Sequence, residues 1–509
     1  MRKLEHVNAG AHLSVGISLF NEDLSFFPGQ NEFLAAASKY EYAAVCSRLR
    51  LDDFDVTALF EKLDPAAPCC LLESLIGDDN GRYSIIGFNS LLEIQVDSYT
   101  DPTCVDPIQD FFISRHAQPL DFPHFSGGLI GFWSYDLSLT YQNIPRKKDK
   151  SIINPVQQFF LPGTVVVFDR HEKVLNVIQW LESKNINDDS YISACTEIKS
   201  IMAAAAACQT GTVKRDRPRR DQPEVAEYFS VNVEQAEFYK QVDTALEHIR
   251  VGDIFQVQIS RRWKRESPAQ PWDVYLAMRE LNPSPYMFYL KGSESVLIGA
   301  SPEIQLKVAG ERVISRPIAG TRKVTGNAVK DEAQRRELLT DEKERAEHLM
   351  LVDLARNDLG RISQTGTVEV TELMKLEPYS HVVHLVSTVE GRIKPGLDAL
   401  DAFKACFPAG TLTGAPKRKA MEIIESLEQE PRGPYGGAVG HIDFNGDLDS
   451  CIIIRTILHH QGAYYLQSAA GIVADSVATL EHKETLNKAR APMLAIIEAE
   501  ERYHDPNDR

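Results

Sequence analysis

Residues 341–361 read DEKERAEHLMLVDLARNDLGR, a run composed largely of strong helix formers. Glu344 and Glu347 stand three residues apart in this run, so both carboxylates lie on one face of a helix. A second Glu-x-x-Glu pair, Glu481 and Glu484, opens the helix-forming stretch EHKETLNKAR. If these two faces meet in the folded chain, four carboxylates surround one point.

Four carboxylates in a dry site repel one another unless a cation offsets their charge. Mg²⁺ prefers oxygen ligands, and it commonly takes one or two carboxylates together with water and an anionic substrate. The same spacing is also typical of solvated helix faces. Spacing alone therefore leaves two interpretations open, a magnesium site or two ordinary surface helices.

Outward from these helices, periodicity predicts the other elements. Two β-rich runs, 161–169 and 173–180, flank a polar turn and predict a hairpin. Helices are predicted at about 189–207 and at 234–250, and a strand at 254–260. A stretch rich in Thr, Arg, Asp, Pro and Gln predicts a linker. We therefore divide the chain into an N-terminal domain (1–208), a linker (209–225) and a C-terminal domain (226–509).

Composition and charge exclude several classes of protein. The chain has 509 residues, of which 43% are hydrophobic and 25% charged, as in an ordinary globular protein. Its net charge of −17 disfavours nucleic-acid binding. The eight cysteines include no C-x-x-C motif, which favours reduced thiols. With neither a signal peptide nor a membrane span in the sequence, we expect a cytoplasmic protein without a membrane partner.

The glycine-rich segments match no phosphate-binding motif. GTLTGAPK at 410–417 fails the P-loop template because two residues separate the second glycine from the lysine. YGGAVG at 435–440 is not a dinucleotide fingerprint, so close ligand approach and tight packing both remain open for it. Zinc-protease and serine-hydrolase motifs are absent from the sequence.

Five motifs together resemble a known family. They are the 341–361 run, RPIAGTR at 316–322, FPAGTLTGAPK at 407–417, YGGAVG at 435–440 and DSVATLEHKETLNKARA at 475–491. This set is similar to the chorismate-binding enzymes, and among them to component I, the large subunit, of the anthranilate synthases of tryptophan synthesis. The resemblance implies an α+β fold: a large chorismate-binding domain with two antiparallel sheets sandwiched between helices, and a smaller N-terminal α/β portion carrying an inhibitor site.

The resemblance also implies roles for particular residues. Glu347 and Glu484 are expected to bind Mg²⁺ directly, with Glu344 and Glu481 beside them. Glu303 resembles the general acid that protonates the departing C4 hydroxyl of chorismate. His384, which by its neighbours alone would be a buried structural histidine, resembles the group that assists loss of pyruvate and aromatisation. The remaining candidate catalytic residues are Thr411 and Gln256.

Chorismate is expected to contact a further set of residues, namely Gly320, Thr321, Tyr435, Arg455, Ala469, Ala470, Gly471 and Lys488. Two positions distinguish the branches of the family. Gln256 stands where isochorismate and salicylate synthases carry a water-activating lysine, and a neutral amide cannot act as that base. Ala319 stands where aminodeoxychorismate synthases often carry a lysine that attacks the ring. Both residues favour ammonia as the nucleophile and anthranilate as the product.

A regulatory site and a partner follow from the same resemblance. LLES at 71–74 and NPSPYMF at 282–288 are similar to the paired motifs that bind tryptophan as feedback inhibitor. The residues expected to contact tryptophan are Ser74, Pro285, Tyr286 and Met287. No glutamine amidotransferase domain follows the last motif, so we expect a separate amidotransferase subunit, in a heterodimer or heterotetramer, to supply ammonia.

The chain departs from the family pattern at two places. Ala469 replaces a usual glycine beside the expected substrate carboxylate, and Ala478 replaces a proline at a helix start.

Two functions other than anthranilate synthesis are disfavoured. Aminodeoxychorismate synthesis is disfavoured by Ala319, and a tryptophan-binding regulator with an inactive site is disfavoured by retention of the candidate catalytic carboxylates.

Overall fold

The computed structural model describes residues 24–76, 81–97, 106–148, 152–153, 155–208, 225–378 and 382–504. The helices are α1 (Gln30–Ala37), α2 (Val56–Leu63), α3 (Pro107–Ser114), α4 (Leu137–Tyr141), α5 (Asp188–Ala206), α6 (Gln235–Arg250), α7 (Pro271–Leu281), α8 (Ala328–Thr340), α9 (Glu342–Ile362), α10 (Ala399–Cys406), α11 (Lys417–Leu427) and α12 (Ala478–His504). Short 3-10 turns cover Ser183–Asn185, Val225–Tyr228 and Gly410–Leu412.

The strands are β1 (Tyr42–Arg50), β2 (Cys69–Glu73), β3 (Tyr83–Val96), β4 (Gly128–Trp133), β5 (Gln157–Asp169), β6 (Val174–Glu182), β7 (Ser230–Val231), β8 (Gln256–Glu266), β9 (Tyr286–Lys291), β10 (Ser295–Ser301), β11 (Ile304–Ala309), β12 (Arg312–Ser315), β13 (Ile318–Lys323), β14 (Glu369–Pro378), β15 (Val382–Arg392), β16 (Gly414–Ala415), β17 (Ala438–Asp443), β18 (Leu448–Ile452), β19 (Thr456–His460) and β20 (Ala463–Ile472).

Antiparallel pairing connects these strands into one network that divides at β5. One edge of β5 pairs with β3, and its other edge pairs with β4 and then β6. The first arm continues from β3 through β2, β9, β10, β19, β20 and β8. The second arm continues from β4 through β17, β18, β11, β12 and β15. Strand β5 is buried along nearly its whole length, which explains why its sequence is apolar without alternation.

Two large apolar cores lie on opposite faces of the first arm. One contains side chains from both arms, such as Phe132 of β4 and Leu297 of β10. The other joins the first arm to α2, α5, α7 and α12. Neighbouring residues of β1 enter different cores, Ala43 the helix-covered one and Ala44 the other, because successive side chains of a strand point to opposite faces.

The mixed helix-and-strand fold expected from the sequence is confirmed. The predicted hairpin forms between β5 and β6, with Asp169 opposite Val174. The helices expected at 189–207 and 234–250 are α5 and α6, and the strand expected at 254–260 is β8, which extends further than predicted. The expected arrangement of two antiparallel sheets sandwiched between helices stays a prediction. In the structure, hydrogen bonding connects both arms through β5.

Strand pairing also crosses the domain boundary expected from the sequence. Strand β2 pairs with β9, and β4 pairs with β17, so residues before 208 and after 226 share the same sheet. Apart from Val225, the expected linker 209–225 lies outside the described residues. The division into two domains therefore stays a prediction. In the described part of the chain, no helix has the length and apolar character that crossing a membrane requires.

Candidate active site

A cavity of about 190 Å³ lies where β8, β13 and β15 meet helices α9 and α12. Its walls bring together nine of the candidate site residues from the sequence, namely Gln256, Glu303, Glu347, His384, Thr411, Tyr435, Arg455, Ala469 and Lys488, and also Ala319. These residues span more than two hundred positions of the chain. Charged side chains of both signs therefore face one enclosed space.

Glu303 stands in the link between β10 and β11 and is only 8% exposed. Its Oε1 accepts a hydrogen bond of 3.0 Å from the Thr411 hydroxyl. Burial raises the pKa of Glu303 to about 8, against the opposing effects of the Thr411 hydrogen bond and the positive charge of Lys488. At neutral pH this carboxyl group is therefore protonated and can donate a proton.

The two Glu-x-x-Glu pairs lie on α9 and α12, as expected. Asp341 caps α9 by accepting hydrogen bonds from Lys343 N and Glu344 N at 3.0 and 3.1 Å. Burial raises the pKa of Glu347, and the nearby carboxylates of Glu344 and Glu484 raise it further. The two helices thus bring their acidic faces together.

Counter-charges are distributed unevenly over these carboxylates. Glu344 forms an ion pair with Arg322 at 2.8 Å, and Glu484 forms one with Lys488 at 2.6 Å. Within the described ranges, Glu347 has no ion pair with Lys or Arg, and Gln256 Nε2 donates to its Oε1 at 3.4 Å. No group of three or more His, Cys, Asp or Glu in the described chain is arranged as a metal site. A pair of carboxylates nevertheless fits Mg²⁺, which needs only one or two from the protein.

Positive charge occupies another wall of the cavity. Arg455 has a left-handed backbone, with φ of 51°, and its guanidinium donates to the Lys488 carbonyl at 3.3 Å. Lys488 Nζ donates to the Ala469 carbonyl at 2.9 Å. Tyr435 is buried, and its hydroxyl is hydrogen-bonded to the Ala469 backbone. The cavity can therefore bind a carboxylate against Arg455 while other groups face Glu303 and Glu347.

His384 contacts the backbone of β13. Its Nδ1 lies 3.0 Å from the Gly320 carbonyl oxygen, and in the tautomer that donates from Nδ1 the lone pair is on Nε2. Burial lowers the pKa of His384, so the ring is neutral at physiological pH.

Gly320 has φ of +66°, and a Cβ there would lie 2.8 Å from Leu338 Cδ1. Glycine is required at this position by both backbone and space.

The candidate residues outside the cavity wall have other contacts. The Ala470 side chain packs in a small apolar core with Val257 and Ile259. A Cβ on Gly471 would lie 2.8 Å from the amide nitrogens of both Gln256 and Gln258, so only glycine leaves room for them. Thr321 is in β13, opposite His384.

Comparisons with known proteins identify the family. A family model described as chorismate binding enzyme matches residues 68–494. Anthranilate synthase component 1 of Acetivibrio thermocellus is 40% identical over 493 residues, covering 94% of this chain and 99% of the relative. The chain belongs to the chorismate-binding enzymes, in the anthranilate synthase component I group. The corresponding Aquifex aeolicus protein is 39% identical and covers 91% of this chain and 97% of its own length.

Solved structures place this chorismate-binding enzyme in the same fold. Anthranilate synthase component I from Streptococcus pneumoniae superimposes with a TM-score of 0.70 at 34% identity, covering 82% of this chain and 93% of that chain. The menaquinone-specific isochorismate synthase MenF of Escherichia coli gives a TM-score of 0.68 at 18% identity, over 92% of this chain and 98% of that one. At that identity the second match concerns the fold alone.

The sequence analysis did not predict several residues that line the cavity, namely Gln258, Ile318, Leu351, Leu412, Gln467 and Ser468. Gln258 could have been found, because it stands two positions after Gln256 and so faces the same side of β8. Gln467 has no local signal. It reaches the site because β20 pairs with β8.

The residues expected to bind tryptophan lie where β2 meets β9. Ser74 follows β2, and Leu75 N donates to Ser284 O at 3.3 Å. The Ser74 hydroxyl is buried and has no hydrogen-bond partner among the described residues. Met287 packs in the helix-covered core, whereas Tyr286 packs on the opposite core and donates its hydroxyl to Asp449 at 3.0 Å. These two neighbouring side chains therefore leave β9 on opposite faces.

Proposed function

We propose that this enzyme converts chorismate and ammonia to anthranilate, pyruvate and water, the first step of tryptophan synthesis. The observation that carries the proposal is Glu303, a buried carboxyl group with a pKa of about 8, in the same cavity as Arg455, Lys488 and Glu347. Chorismate carries two carboxylates and a hydroxyl leaving group. A cavity with a cationic wall, the Glu347 carboxylate and a protonated acid matches those three features.

In the first step, ammonia forms a bond to ring carbon C2, the two ring double bonds shift, and the bond from C4 to its hydroxyl oxygen breaks. Glu303 supplies its proton to that oxygen, which leaves as water, and Thr411 holds the carboxyl group in place through the 3.0 Å hydrogen bond. The ammonium group formed at C2 then loses one proton, which returns the Glu303 carboxylate to its acid form. Hydroxide is a poor leaving group, so proton donation from a positioned acid is worth about 10²- to 10⁴-fold in rate.

In the second step, the proton on ring carbon C2 of the amino intermediate is removed, the bond from C3 to the enolpyruvyl oxygen breaks, and the ring becomes aromatic. The departing enolpyruvate takes up one proton and becomes pyruvate. The neutral ring of His384, oriented by the Gly320 carbonyl, presents Nε2 as the proton acceptor. Burial keeps this histidine in its basic form at physiological pH. The two titratable groups thus start in complementary states, one protonated and one not.

Glu347 and Glu484 would hold Mg²⁺. When bound, this ion would offset the acidic pair and orient a carboxylate of chorismate between the protein and the cationic wall. The raised pKa of Glu347, which forms no ion pair in the described part of the chain, supports this assignment. Lys488, paired with Glu484 at 2.6 Å, lies where it can contact the same carboxylate.

Two uncharged side chains determine the choice of nucleophile. Gln256, whose amide faces Glu347, cannot deprotonate water. Ala319 is buried in the cavity wall and carries no group that could attack the ring. Ammonia therefore remains as the nucleophile.

A separate subunit would supply that ammonia from glutamine. The designation component 1 of the curated relatives implies a second component. We propose a cytoplasmic heterodimer or heterotetramer with a glutamine amidotransferase, in which the present chain by itself uses free ammonium.

One assay tests the reaction. Purified chain is incubated with chorismate, ammonium and Mg²⁺, and products are followed by fluorescence and identified by mass. The proposal expects anthranilate and pyruvate in equal amounts. An amino product that retains its pyruvyl group would assign aminodeoxychorismate synthesis instead. Absence of turnover with a folded chain would leave only a regulatory protein.

Tryptophan would inhibit from the β2–β9 junction. The Ser74 hydroxyl, which has no hydrogen-bond partner among the described residues, offers a hydrogen bond to the amino acid, while Pro285 and Met287 would contact its indole. Because Met287 and Tyr286 leave β9 on opposite faces, they would act on opposite sides of that strand. Strand β9 pairs with β10, which leads to Glu303, so the sheet connects the inhibitor site to the acid.

We expect Ser74→Phe to abolish this inhibition. The phenyl ring would fill the space around the buried hydroxyl and remove its hydrogen bond, so the tryptophan concentration for half-inhibition should rise more than about tenfold. Turnover without tryptophan should change little, because Ser74 is outside the catalytic cavity. Ser293→Phe, in an exposed turn between β9 and β10, is the matched control. Unchanged inhibition of Ser74→Phe would exclude this site.

A further inference from the structure

We propose that Arg432 is a positioning residue for the reaction: its guanidinium fixes the wall of the cavity that presents Thr411 to Glu303. The inference rests on the proposed role of Glu303 as general acid. Arg432 does not line the catalytic cavity, and it is only 3% exposed. It stands in the segment that joins α11 to β17.

The guanidinium of Arg432 connects three segments of the chain. Nη1 donates to the Leu412 carbonyl at 2.6 Å, and Nη2 donates to the Gln258 carbonyl at 2.9 Å. Nε and Nη2 also donate to the two carboxylate oxygens of Glu428 at 2.9 and 2.8 Å. Leu412 and Gln258 both line the cavity, so one side chain holds two of its walls.

Glu428 anchors this arrangement to the sheet. Its Oε1 accepts hydrogen bonds from Ser260 N at 2.9 Å and from the Ser260 hydroxyl at 2.7 Å. Ser260 is in β8, two residues after Gln258. The planar guanidinium also lies over the ring of Tyr135, at 4.6 Å, and of Tyr435, at 5.9 Å. Arg432 is therefore held along its edge by hydrogen bonds and by contact with two aromatic rings.

These contacts act on the reacting acid through Thr411. Leu412 and Thr411 are consecutive in the 3-10 turn Gly410–Leu412, so fixing the Leu412 carbonyl fixes the Thr411 hydroxyl 3.0 Å from Glu303. The Gln258 N–H donates to the Thr413 carbonyl at 2.8 Å and holds the other end of the turn. A shift of this turn would move Thr411 away from Glu303 without removing any group that touches substrate.

Lysine cannot replace this arginine. An ammonium group preserves the charge that Glu428 requires, but its donors radiate from one nitrogen and cannot reach two carbonyls and a bidentate carboxylate at once. Arg432→Lys should therefore keep the fold while loosening the turn. We expect kcat to fall about 10- to 100-fold, the cost of misplacement by about an ångström. KM for chorismate should rise less than about threefold, since Arg455 and Lys488 remain.

A double-mutant cycle with Thr411→Val separates positioning from general destabilisation. If Arg432 acts through Thr411, Arg432→Lys should lower kcat less than about threefold in the Thr411→Val background. A similar fall in both backgrounds would overturn the proposal, as would an unchanged kcat in the single variant. Arg265→Lys is the matched control, because it disrupts a bidentate pair with Glu500 remote from the cavity and should leave kinetics unchanged.

A second variant covers the case in which Arg432→Lys fails to fold. Glu428→Gln with Arg432→Gln leaves no uncompensated buried charge and removes the same contacts to Leu412 and Gln258. The same kinetic cycle then applies. Absence of anthranilate from the unaltered chain would contradict the proposed function itself. Normal turnover combined with additive effects would contradict only the role of Arg432.

Discussion

Glu303→Gln should lower kcat by about 10²- to 10⁴-fold while leaving chorismate binding nearly unchanged. The amide matches the carboxyl group in size and can still accept the hydrogen bond from Thr411, but it has no acidic proton to give to the leaving oxygen. The measurement is initial rate of anthranilate formation over a range of chorismate concentrations, with Mg²⁺ and ammonium saturating.

The pH dependence of kcat, compared between the unaltered chain and Glu303→Gln, tests the role of Glu303 further. The reactive form of Glu303 is the protonated one, and burial raises its pKa to about 8. In the unaltered chain kcat should therefore hold below that pH and fall about tenfold for each pH unit well above it. The fall should be absent in Glu303→Gln. Free ammonia must be kept saturating at every pH, since its own protonation otherwise contributes to the profile.

Glu197→Gln is the matched control for this experiment. Burial also raises the pKa of Glu197, which accepts a hydrogen bond from Asn89 at 3.0 Å, but Glu197 is on α5 and outside the cavity. Its substitution should change neither kcat nor the alkaline fall. If Glu303→Gln keeps kcat within about threefold of the unaltered chain, another group must be the acid.

Glu347→Gln should abolish the response of the protein to Mg²⁺. In the unaltered chain, burial raises the pKa of Glu347 and the carboxylates of Glu344 and Glu484 raise it further, so a cation among these carboxylates relieves their repulsion. A ligand that binds only the folded state adds about 2.7 kcal/mol to the free energy of unfolding at about 100 times its Kd. Thermal unfolding with and without Mg²⁺ measures this gain independently of turnover, and isothermal titration measures Kd.

For Glu347→Gln, Tm should therefore be compared with and without Mg²⁺. Without Mg²⁺, Glu347→Gln should unfold at the same or a higher temperature, because one of the repelling charges is gone. With Mg²⁺ its Tm should not rise, and anthranilate formation should be lost. Glu342→Gln is the control, since it removes an exposed carboxylate from the first turn of the same helix. An equal rise in Tm for both variants would place the cation elsewhere.

Local sequence pattern predicted the helices of the site well. The spacing of Glu344 and Glu347 and the helix formers around them are properties of a few consecutive residues, and both residues lie in α9, which begins at Glu342. The same holds for α5, α6 and the β5–β6 hairpin, whose apolar patterns are short-range. In each case the deciding interactions lie within a turn or a strand, so no knowledge of distant residues is needed.

The family motifs predicted which residues are candidates for the site, but they did not predict the contacts of those residues. Gln258 and Gln467 line the cavity without belonging to a motif used for recognition, and Arg432 holds the wall from outside it. Tyr286 and Met287 are adjacent in the expected inhibitor motif but face opposite cores. A motif identifies positions along the chain, whereas the face on which a side chain lies depends on strand register.

What the sequence by itself determined is the type of several elements and the candidates for the site: two helices with acidic faces, a candidate acid, and uncharged residues at positions 256 and 319. Only the tertiary structure decided the state of those groups. Glu303 meets Thr411 across 108 residues, and its raised pKa depends on burial in a site lined by residues from Gln256 to Lys488. The physical reason is that desolvation and charge interactions are sums over spatial neighbours, and long-range pairing of strands determines which residues become neighbours.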